Sequence, residues 1–407
     1  MKKTVWIINQ YASTPEVGVG GRHYYLAKCL AVMGYDVYLV AASYTHLLHS
    51  PVEMESDVKI MPVHGFKFVW VRTEPYEGAH DKKRIINWFK FSFKVAGIHK
   101  YINARPDVVL YSSPTLVGFL GAERVARKYK ARLAFEVRDI WPLTLEKIGG
   151  YSARHPFVWF LQWIEDRAYK KADVVISNLK GAVNHMVTRG LEKDKFHWVP
   201  NGFCADEVAN PDALSDDLVA QIPKDKFIVG YAGTFGLANS LETLVDAARI
   251  LMEEDIYFVL VGSGKDKESL IAYAGSSGVK NIIFIDSVKK SQVQSLLKLF
   301  DVLAVGARKD PMYLFGVSPN KLFDYFAAAK PILYYINSGD YTPVKSAAAG
   351  FEVDAESPDQ LAEAILMLYS MSPEERQLMG ERGYAAALEN YEYKVLAKKL
   401  ASVLLYD

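Results

Sequence analysis

A polar run that leads into a helix pattern, FGVSPNKLFDY at residues 315–325, contains the residue types of an anion-binding site. Ser318 is a helix-capping residue type and Pro319 suits a first helical position, so the pattern predicts a helix that begins here with free amides at its N-terminus. Asp324 lies one turn after Asn320, where its carboxylate could accept hydrogen bonds from both hydroxyls of a ribose. A surface charge favoured by the helix dipole stays open as the alternative for Asp324.

A glycine-rich turn, PEVGVGGRH at residues 15–23, lies between a strand pattern and a helix pattern. Glycines at such a turn let backbone amides approach a phosphate at the N-terminus of the following helix. The spacing differs from G-x-G-x-x-G, and a tight turn needed only for packing stays open. Because Arg22 and His23 directly follow Gly20 and Gly21, we favour an anion site at the mouth of this turn.

Strand-like apolar runs alternate with helix-length amphipathic segments along most of the chain. The first half contains VWIINQY, VYLVAAS, VVLYSSP and RLAFEV, and the second contains FIVGYAGT, YFVLVGSG, NIIFIDS, VLAVGA and PILYYIN. This alternation predicts an α/β fold with two doubly wound, Rossmann-like domains facing each other across a cleft. The turn-forming triplet PNG and the polar stretch after it divide the chain into domains 1–202 and 203–385. A C-terminal helix over 386–407 could pack back on the first domain.

Composition argues against several classes of protein. The chain of 407 residues is 50% hydrophobic and 23% charged, which is ordinary for a globular enzyme. Its two cysteines, Cys29 and Cys204, have no metal-ligand spacing and favour a reducing compartment. No segment reaches the roughly 18 apolar residues of a spanning helix, and the start of the chain lacks a secretory signal pattern. We therefore expect a cytoplasmic enzyme, and the lack of a recognised binding module argues against nucleic acid as a partner.

The first 200 residues carry 29 Lys and Arg against 18 Asp and Glu, while the remainder is acidic. Within this basic half lies the stretch KKRIINWFKFSFKVAGIHKYI at 82–102. Read as a helix, it places Lys83, Asn87, Lys90 and Lys94 on one stripe beside many aromatic residues. That combination suits a peripheral contact with the inner face of the cytoplasmic membrane. A core helix whose lysines merely reach solvent stays open as the alternative.

Five separated motifs resemble, in order and in distance, those of family 4 glycosyltransferases, especially the bacterial branch that assembles capsule and O-antigen units. They are EVRDIWPLTL, VPNGF, YAGTFGLANSLETLVDAA, LVGSGKDKESL and SPNKLFDYFAAAKPI. The resemblance covers essentially the whole chain. It implies the GT-B fold, a C-terminal domain that binds the donor nucleotide and an N-terminal domain that receives the acceptor. It also implies retention of anomeric configuration without a metal, and the chain lacks the Asp-x-Asp signature of metal-dependent glycosyltransferases.

The resemblance implies a donor site that departs from the family pattern at its acidic motif. Asp324 matches the second acid, which holds the ribose, whereas the first acid falls at Gly316. Because the first acid normally contacts the donor sugar, we expect sugar recognition to rest on other groups, such as the backbone amides of residues 316–318. Gly20 and Gly21 match the glycine loop that closes over the donor phosphates.

A second departure concerns the charges that neutralise the pyrophosphate. The usual basic pair falls near Thr234 and Asn239, and both are uncharged. Lys321, Arg308 or Lys265 could substitute, and we rank Lys321 first because it lies at the start of the motif helix. The donor-binding residues expected on this basis are Gly20, Gly21, Thr234, Lys265, Arg308, Gly316, Val317, Ser318, Asn320, Lys321 and Asp324.

Asp139, just after the run RLAFEV, lies where the family keeps a polar residue near the reacting carbon. The resemblance implies that Asp139 orients the acceptor hydroxyl or the leaving phosphate and that Arg138 supplies charge. An ion pair between the two at a strand end stays open. We therefore expect Asp139, Arg138 and Lys321 to be catalytic, and Arg22 and His23 to contact the acceptor.

The predicted activity is retaining transfer of a sugar from a nucleotide sugar, with uridine diphosphate as the carrier by family habit. The expected acceptor is a polyprenyl-diphosphate-linked sugar or another glycan in capsule or O-antigen synthesis. We expect no metal and no other cofactor. Two alternatives stay open at this point: a sugar-nucleotide epimerase of the same two-domain shape, which would need paired acid and base carboxylates, and a sugar-nucleotide-binding protein without catalysis.

Overall fold

A computed structural model describes residues 2–78, 81–147 and 149–406. The chain divides into two compact units: unit 1 comprises Met1–Pro200 with Tyr393–Asp407, and unit 2 comprises Asn201–Glu392. Each unit contains one sheet flanked by helices, with eight described strands in unit 1 and six in unit 2. The predicted α/β fold with two parallel-sheet, Rossmann-like domains is therefore confirmed.

The sheet of unit 1 follows the order β3-β4-β2-β1-β5-β6-β7-β8. Its strands are β1 (Thr4–Ile8), β2 (Asp36–Ala42), β3 (Val58–Val63), β4 (Phe66–Val71), β5 (Val108–Ser112), β6 (Arg132–Val137), β7 (Val174–Ser177) and β8 (Phe196–Trp198). Among these strands only β3 is antiparallel to its neighbour. The chain winds in opposite directions from β1 and β5, and in such sheets ligands bind outside the carboxyl ends of the strands at that switch point.

The helices of unit 1 connect these strands and pack on both faces of the sheet. They are α1 (Arg22–Val32), α2 (Lys82–Gly97), α3 (Gly118–Tyr129), α4 (Leu143–Lys147), α5 (Pro156–Lys171) and α6 (Ala182–Thr188). Helix α1 begins directly after Gly20 and Gly21, whose φ angles of 68° and 85° lie in the left-handed region that favours glycine. The glycine pair therefore makes the turn from β1 into α1 possible.

Unit 2 contains a fully parallel sheet of described strands in the order β11-β10-β9-β12-β13-β14. The strands are β9 (Phe227–Ala232), β10 (Ile256–Val261), β11 (Ile282–Ile285), β12 (Val302–Gly306), β13 (Ile332–Tyr335) and β14 (Gly350–Glu352). The sequential order is thus 3-2-1-4-5-6, the order of dinucleotide-binding sheets, and its switch point lies between β9 and β12.

The helices of unit 2 are α7 (Ala205–Ala209), α8 (Asp216–Val219), α9 (Glu242–Ile250), α10 (Lys267–Ser276), α11 (Val293–Leu297), α12 (Asn320–Ala327), α13 (Pro343–Ser346), α14 (Pro358–Ser370) and α15 (Pro373–Asn390). A last helix, α16 (Tyr393–Leu405), belongs to unit 1 and packs against α1. Helix α16 begins at Tyr393, later than the expected start at 386, because α15 continues to Asn390.

Candidate active site

The loops that follow β9 and β10 are joined by backbone hydrogen bonds at the carboxyl ends of the strands of the unit 2 sheet. The Gly233 amide donates to the Val261 carbonyl at 2.9 Å, and the Phe235 amide donates to the Ser263 carbonyl at 2.8 Å. A Cβ added to Gly262 would lie 1.8 Å from the Gly233 carbonyl oxygen, so this close approach requires glycine. The loop at 233–239 is consequently held in place beside the switch point.

Lys321, the second residue of α12, lies against that loop. Its Nζ donates to Tyr231 Oη at 2.8 Å and to Asn239 Oδ1 at 2.6 Å. A Cβ added to Gly233 would lie 3.2 Å from this Nζ. Burial lowers the pKa of the Lys321 amine to about 7. No carboxylate of the described chain pairs with the amine, so the loop holds a half-buried amine that an anion would stabilise in its charged form.

Thr234 and Asn239, the two uncharged positions of the expected basic pair, take part in the same cluster. The Thr234 carbonyl accepts hydrogen bonds from Tyr231 Oη at 2.7 Å and from Asn239 Nδ2 at 3.0 Å. Asn239 thereby presents its Oδ1 to Lys321. The amine of Lys321 therefore occupies the neighbourhood in which the missing basic pair was expected.

The N-terminus of α12 lacks a side-chain cap, and the predicted capping role of Ser318 is wrong. Helix α12 begins at Asn320 with Pro319 at the cap position, and no side chain accepts from its first amides. Ser318 is engaged elsewhere: its Oγ accepts from the Asn201 amide at 2.9 Å, and its carbonyl accepts from Asn201 Nδ2 at 2.7 Å. Because the cap is missing, the first amides of α12 remain available to an anion.

Asp324 lies one turn into α12 and is paired with a lysine that sequence reasoning missed. Lys290 Nζ donates to both carboxylate oxygens of Asp324 at 2.7 Å. The Asp324 side chain is only 19% exposed, whereas that of Lys290 is 61% exposed. Each carboxylate oxygen has further acceptor capacity, so the pair can still receive hydroxyl groups.

Residues 316–318 form the backbone turn that precedes α12. Gly316 adopts φ 93° and ψ 161°, a conformation essentially confined to glycine. Its amide donates to the Tyr313 carbonyl at 2.9 Å, so it is already used, contrary to the expectation that all three amides are available. The amides of Val317 and Ser318 have no acceptor within the described chain and remain candidates.

The charged groups of the two other candidates, Lys265 and Arg308, make no hydrogen bond to the cluster around Lys321 in the described structure. Lys265 is exposed in the turn after β10. Arg308 follows β12, and its Nη2 lies 3.9 Å from Glu242 Oε1 in a half-exposed ion pair. Its backbone amide donates to the Ala238 carbonyl at 3.2 Å, which ties it to the β9 loop. Of the three, Lys321 alone has its charged group hydrogen-bonded within the loop cluster, to Tyr231 and Asn239.

In unit 1, Arg22 and His23 are buried with side chains that contact one carboxylate. Both are 4% exposed, so they do not lie at the mouth of the turn as expected. Arg22 Nε donates to Glu136 Oε1 at 2.8 Å, and His23 Nε2 lies 2.8 Å from Glu136 Oε2. The Arg22 guanidinium also donates to the carbonyls of Val199 and Pro200. The assignment of Arg22 and His23 to the acceptor stays a prediction.

Glu136 anchors this cluster and was missed by sequence reasoning, although a carboxylate inside an apolar strand is itself a signal of a buried partner. Ser112 Oγ donates to Glu136 Oε2 at 2.5 Å. Burial would raise the pKa of the Glu136 carboxyl, but the charge of Arg22 and hydrogen bonds from His23 and Ser112 hold that pKa well below its usual range. Burial also lowers the pKa of His23. The pair Arg22–Glu136 is therefore ionised and His23 is neutral near pH 7.

Asp139 and Arg138 follow β6 at the carboxyl edge of unit 1. Asp139 is exposed, and no hydrogen bond or ion pair of the described chain engages its carboxylate. Arg138 Nε is buried without a hydrogen-bond partner, while the Arg138 amide donates to Ser113 Oγ at 2.8 Å. No ion pair joins Arg138 and Asp139 in the described structure, so the Asp139 carboxylate is available to a ligand and the buried Arg138 Nε lacks a partner.

A cluster of polar aromatic side chains, also missed by sequence reasoning, lies at the same edge. Tyr11 Oη, just beyond β1, accepts from Arg84 Nε at 2.9 Å and from Trp88 Nε1 at 3.2 Å. Tyr76 Oη lies 3.0 Å from His46 Nδ1, and the His46 ring packs edge-on against Tyr11. Aromatic faces and forked donors are the groups that bind sugar rings and phosphates.

Two family models match this chain and together span most of it. "Glycosyl transferase 4-like domain" matches residues 17–202, and "Glycosyl transferases group 1" matches residues 212–386. The chain belongs to the family 4 glycosyltransferases. An Escherichia coli K12 protein named as a colanic acid biosynthesis glycosyl transferase, WcaI, is 25% identical over 340 residues, covering 80% of this chain and 81% of that protein.

Solved structures share the fold of this glycosyltransferase. Sucrose-phosphate synthase from Thermosynechococcus elongatus superposes with a TM-score of 0.74 at 14% identity, covering 99% of this chain and 98% of that one. An Escherichia coli trehalose-6-phosphate structure bound with UDP-2-fluoro glucose gives 0.74 at 10% identity, covering 100% and 99%. The GT-B fold expected from the resemblance is thus confirmed, and family membership favours transfer over the epimerase and binding-protein alternatives.

The structure of the glycosyltransferase brings part of the predicted donor site together. Thr234 lies within the β9 loop, and Lys321 at the start of α12 contacts that loop. The Arg308 amide is bonded to the same loop, and Asp324 lies one turn further along α12. Gly20 and Gly21 lie in unit 1, on the turn before α1. The roles of all these residues stay predictions.

Proposed function

We propose that this protein is a retaining glycosyltransferase that moves a sugar from a nucleoside diphosphate sugar, with uridine as the base, to a glycan acceptor. The observation that carries the proposal is the Lys321 amine, half-buried at the switch point of the unit 2 sheet without a carboxylate partner among the described residues. A buried cation is costly unless an anion accompanies it. A diphosphate at the uncapped start of α12 would supply that anion and would gain from the helix dipole.

The ribose of the donor is proposed to bind Asp324. Its carboxylate lies one turn beyond the amides of α12, which suits a nucleotide whose diphosphate lies at the helix start. Lys290 would remain paired with Asp324 and hold the carboxylate in its orientation. The hydroxyls would use the remaining lone pairs of the two oxygens.

Recognition of the donor sugar is proposed to rest on backbone groups at residues 317 and 318. An acid at position 316 is disfavoured by the backbone there, because φ 93° with ψ 161° strains any residue other than glycine by about 1–3 kcal/mol. The free amides of Val317 and Ser318 are the groups left in the turn. The donor sugar is therefore read without the carboxylate that the family pattern uses.

The proposed chemistry needs no metal. Lys321 and the helix amides would stabilise the charge that develops on the leaving diphosphate, and such preorganised groups lower a barrier by roughly 3–4 kcal/mol each. The leaving phosphate would take the proton of the acceptor hydroxyl on the same face of the sugar, which retains the anomeric configuration. The Asp139 carboxylate and the Arg138 guanidinium of unit 1 are proposed to orient the acceptor.

The proposed acceptor is a sugar linked to polyprenyl diphosphate, or another glycan, in surface polysaccharide synthesis. Support comes from the aromatic and arginine cluster around Tyr11 and Arg84 at the carboxyl edge of unit 1. The Escherichia coli relative is named for colanic acid biosynthesis. We propose that the enzyme works on the inner face of the cytoplasmic membrane, where such an acceptor would be found.

Titration of the purified enzyme with UDP, GDP and ADP in the presence of EDTA tests the donor proposal. We expect UDP to raise the melting temperature most, and Asp324→Ala to weaken UDP binding about tenfold or more because a charge-assisted contact worth roughly 1.5–3 kcal/mol is lost. Asp255→Ala is the matched control, since Asp255 pairs with Lys226 at 2.6 Å at the opposite edge of the same sheet. Equal UDP affinity in Asp324→Ala and Asp255→Ala would contradict the ribose assignment.

A further inference from the structure

Unit 1 exposes a group of large apolar side chains on two neighbouring helices, which we call the aromatic surface. It consists of Ile86, Phe89 and Phe93 on α2 with Trp159 and Trp163 on α5. Phe93 is 82% exposed and Trp159 is 71% exposed. Single exposed apolar residues are common on proteins, but a continuous patch of this kind marks an interaction site.

The aromatic surface is continuous because rings of the two helices stack on each other. Phe89 stacks on Phe160 with ring centroids 5.8 Å apart, and Phe160 stacks on Trp163 at 6.1 Å. Beneath them Trp88 stacks on Phe157 at 6.2 Å. Phe89, Phe160 and Trp163 are therefore held together by stacking, and Phe93 and Trp159 lie exposed on the same two helices.

The opposite face of α2 is fixed to the protein, so the aromatic surface cannot turn inward. Trp88, Phe91 and Val95 are buried, and Asn87 is buried with its Nδ2 donating to the Glu74 carbonyl at 2.7 Å. Asn87 is thus not part of an exposed stripe, contrary to the sequence-based expectation. The three- and four-residue spacing of Ile86, Phe89 and Phe93 places these exposed apolar residues on one side of α2.

The lysines of α2, and the lack of exposed unpaired acids on α2 and α5, favour an anionic partner for the aromatic surface. Helix α2 contains no acidic residue, and its Lys82 and Lys83 are exposed with no carboxylate partner in the described chain. The only acids of α5 are Glu165, which is buried, and Asp166, which is paired with Arg189 at 2.7 Å. Lys90 and Lys94 pair with Glu74 and Asp57, so they contribute less than the sequence pattern indicated.

We propose that the aromatic surface docks the protein on an anionic phospholipid bilayer. Exposed tryptophan and phenylalanine beside lysine is the combination that enters the headgroup region of a membrane. Such a contact is peripheral, and no helix of the described residues is long and apolar enough to cross a bilayer. The aromatic surface reaches beyond the 82–102 stretch, because α5 supplies both tryptophans.

The aromatic surface lies beside the edge of unit 1 that carries the candidate acceptor site. Helices that connect parallel strands run opposite to them, so the first turns of α2 and α5 lie at the carboxyl edge of the sheet. Trp88 of α2 packs edge-on against Trp141, two residues after Asp139, with centroids 5.7 Å apart. If the proposed function holds, this deepens it, because a lipid-linked acceptor would meet the site while its chain stays in the membrane.

Co-sedimentation of the full-length protein with vesicles tests the docking surface. We expect vesicles with phosphatidylglycerol to bind the wild type, vesicles of phosphatidylcholine alone to bind it at least fivefold more weakly, and Phe93→Ser/Trp159→Ser to reduce binding at least tenfold. Val32→Ser/Val187→Ser is the matched control, since both valines are exposed on unit 1 away from α2 and α5. The control should bind within twofold of the wild type.

The same proteins should show equal stabilisation by UDP, so a failure of membrane binding is separable from a failure of the donor site. Tryptophan fluorescence should shift to shorter wavelength with anionic vesicles, and the shift should vanish in Trp159→Ser/Trp163→Ser. Equal vesicle binding by the wild type and Phe93→Ser/Trp159→Ser would overturn the proposal. So would a wild type that ignores vesicles but forms a dimer that the double variant cannot form, because the surface would then pair two copies.

Discussion

Replacing Lys321 with Met should slow sugar transfer about a hundred- to a thousandfold, the loss seen when one preorganised donor to a developing charge is removed. Binding of UDP should weaken about tenfold to a hundredfold, since a charge-assisted hydrogen bond is worth roughly 1.5–3 kcal/mol. Methionine keeps the length of the stem that packs against Gly233. Calorimetric titration with UDP and donor-hydrolysis rates measure the two effects.

The binding of UDP should also depend on pH through Lys321. In the free enzyme the pKa of this amine is about 7, and a bound diphosphate should raise it. Below pH 7 the amine is protonated in both states, and its contribution is constant. Between pH 7 and the higher pKa of the complex, affinity should fall about tenfold per pH unit, because the protein must take up a proton to bind. The terminal phosphate of UDP has a pKa near 6 and is already ionised above pH 7, so its titration does not contribute to this fall in affinity.

Lys265→Met and Arg308→Met are the controls for this prediction, since they remove the two other candidate charges near the site. Lys265 is exposed and Arg308 is half-exposed beside Glu242, so each loss should weaken UDP by less than about threefold. A UDP affinity of the wild type that does not change with pH would contradict the placement of the diphosphate at α12. So would a larger loss of UDP affinity in Lys265→Met than in Lys321→Met.

Glu136→Ala should destabilise unit 1 by about 3–5 kcal/mol, because it leaves the buried charge of Arg22 without its carboxylate. The ion pair is 1% exposed on both sides, with Arg22 Nε 2.8 Å from Glu136 Oε1. For a unit of this size the loss corresponds to a fall of about 10 °C in melting temperature. Differential scanning calorimetry at pH 7.5 measures the effect.

Glu74→Ala provides the matched control for Glu136→Ala. Glu74 pairs with Lys90 at 2.5 Å, but its side chain is 70% exposed. An exposed pair contributes little to stability because solvent screens it, so the melting temperature should change by no more than roughly 3 °C. Equal melting temperatures for Glu136→Ala and Glu74→Ala would contradict the assignment of Glu136 as the anchor of the cluster. The pKa of the Glu136 carboxyl would then lie close to its ordinary value.

Much of the fold could be predicted because most strands are buried on both faces and therefore read as continuous apolar runs. The run RLAFEV coincides with β6, Arg132–Val137. The hairpin of β3 and β4 was not predicted, since β3 is an edge strand with an exposed lysine and a proline, and its pattern resembles a loop.

The candidate site was only partly predictable, because its contacts join residues far apart in sequence. Lys321 could be ranked from its place at a helix start, whereas its contact with Asn239 depends on the β9 loop. Glu136 contacts Arg22 across 114 residues, and no local pattern reports such a pairing. Ser318 has the residue type of a cap, but two hydrogen bonds to Asn201 draw it away from the helix.

The most direct test of the donor site is a crystal structure of the enzyme soaked with UDP in the presence of EDTA. The proposed function predicts the β-phosphate within about 3 Å of Lys321 Nζ, the ribose hydroxyls on Asp324, and no metal between the phosphates and the protein. A nucleotide ordered against Arg138 in unit 1, or ordered only when a divalent cation is added, would contradict the assignment of the donor to the switch point of β9 and β12.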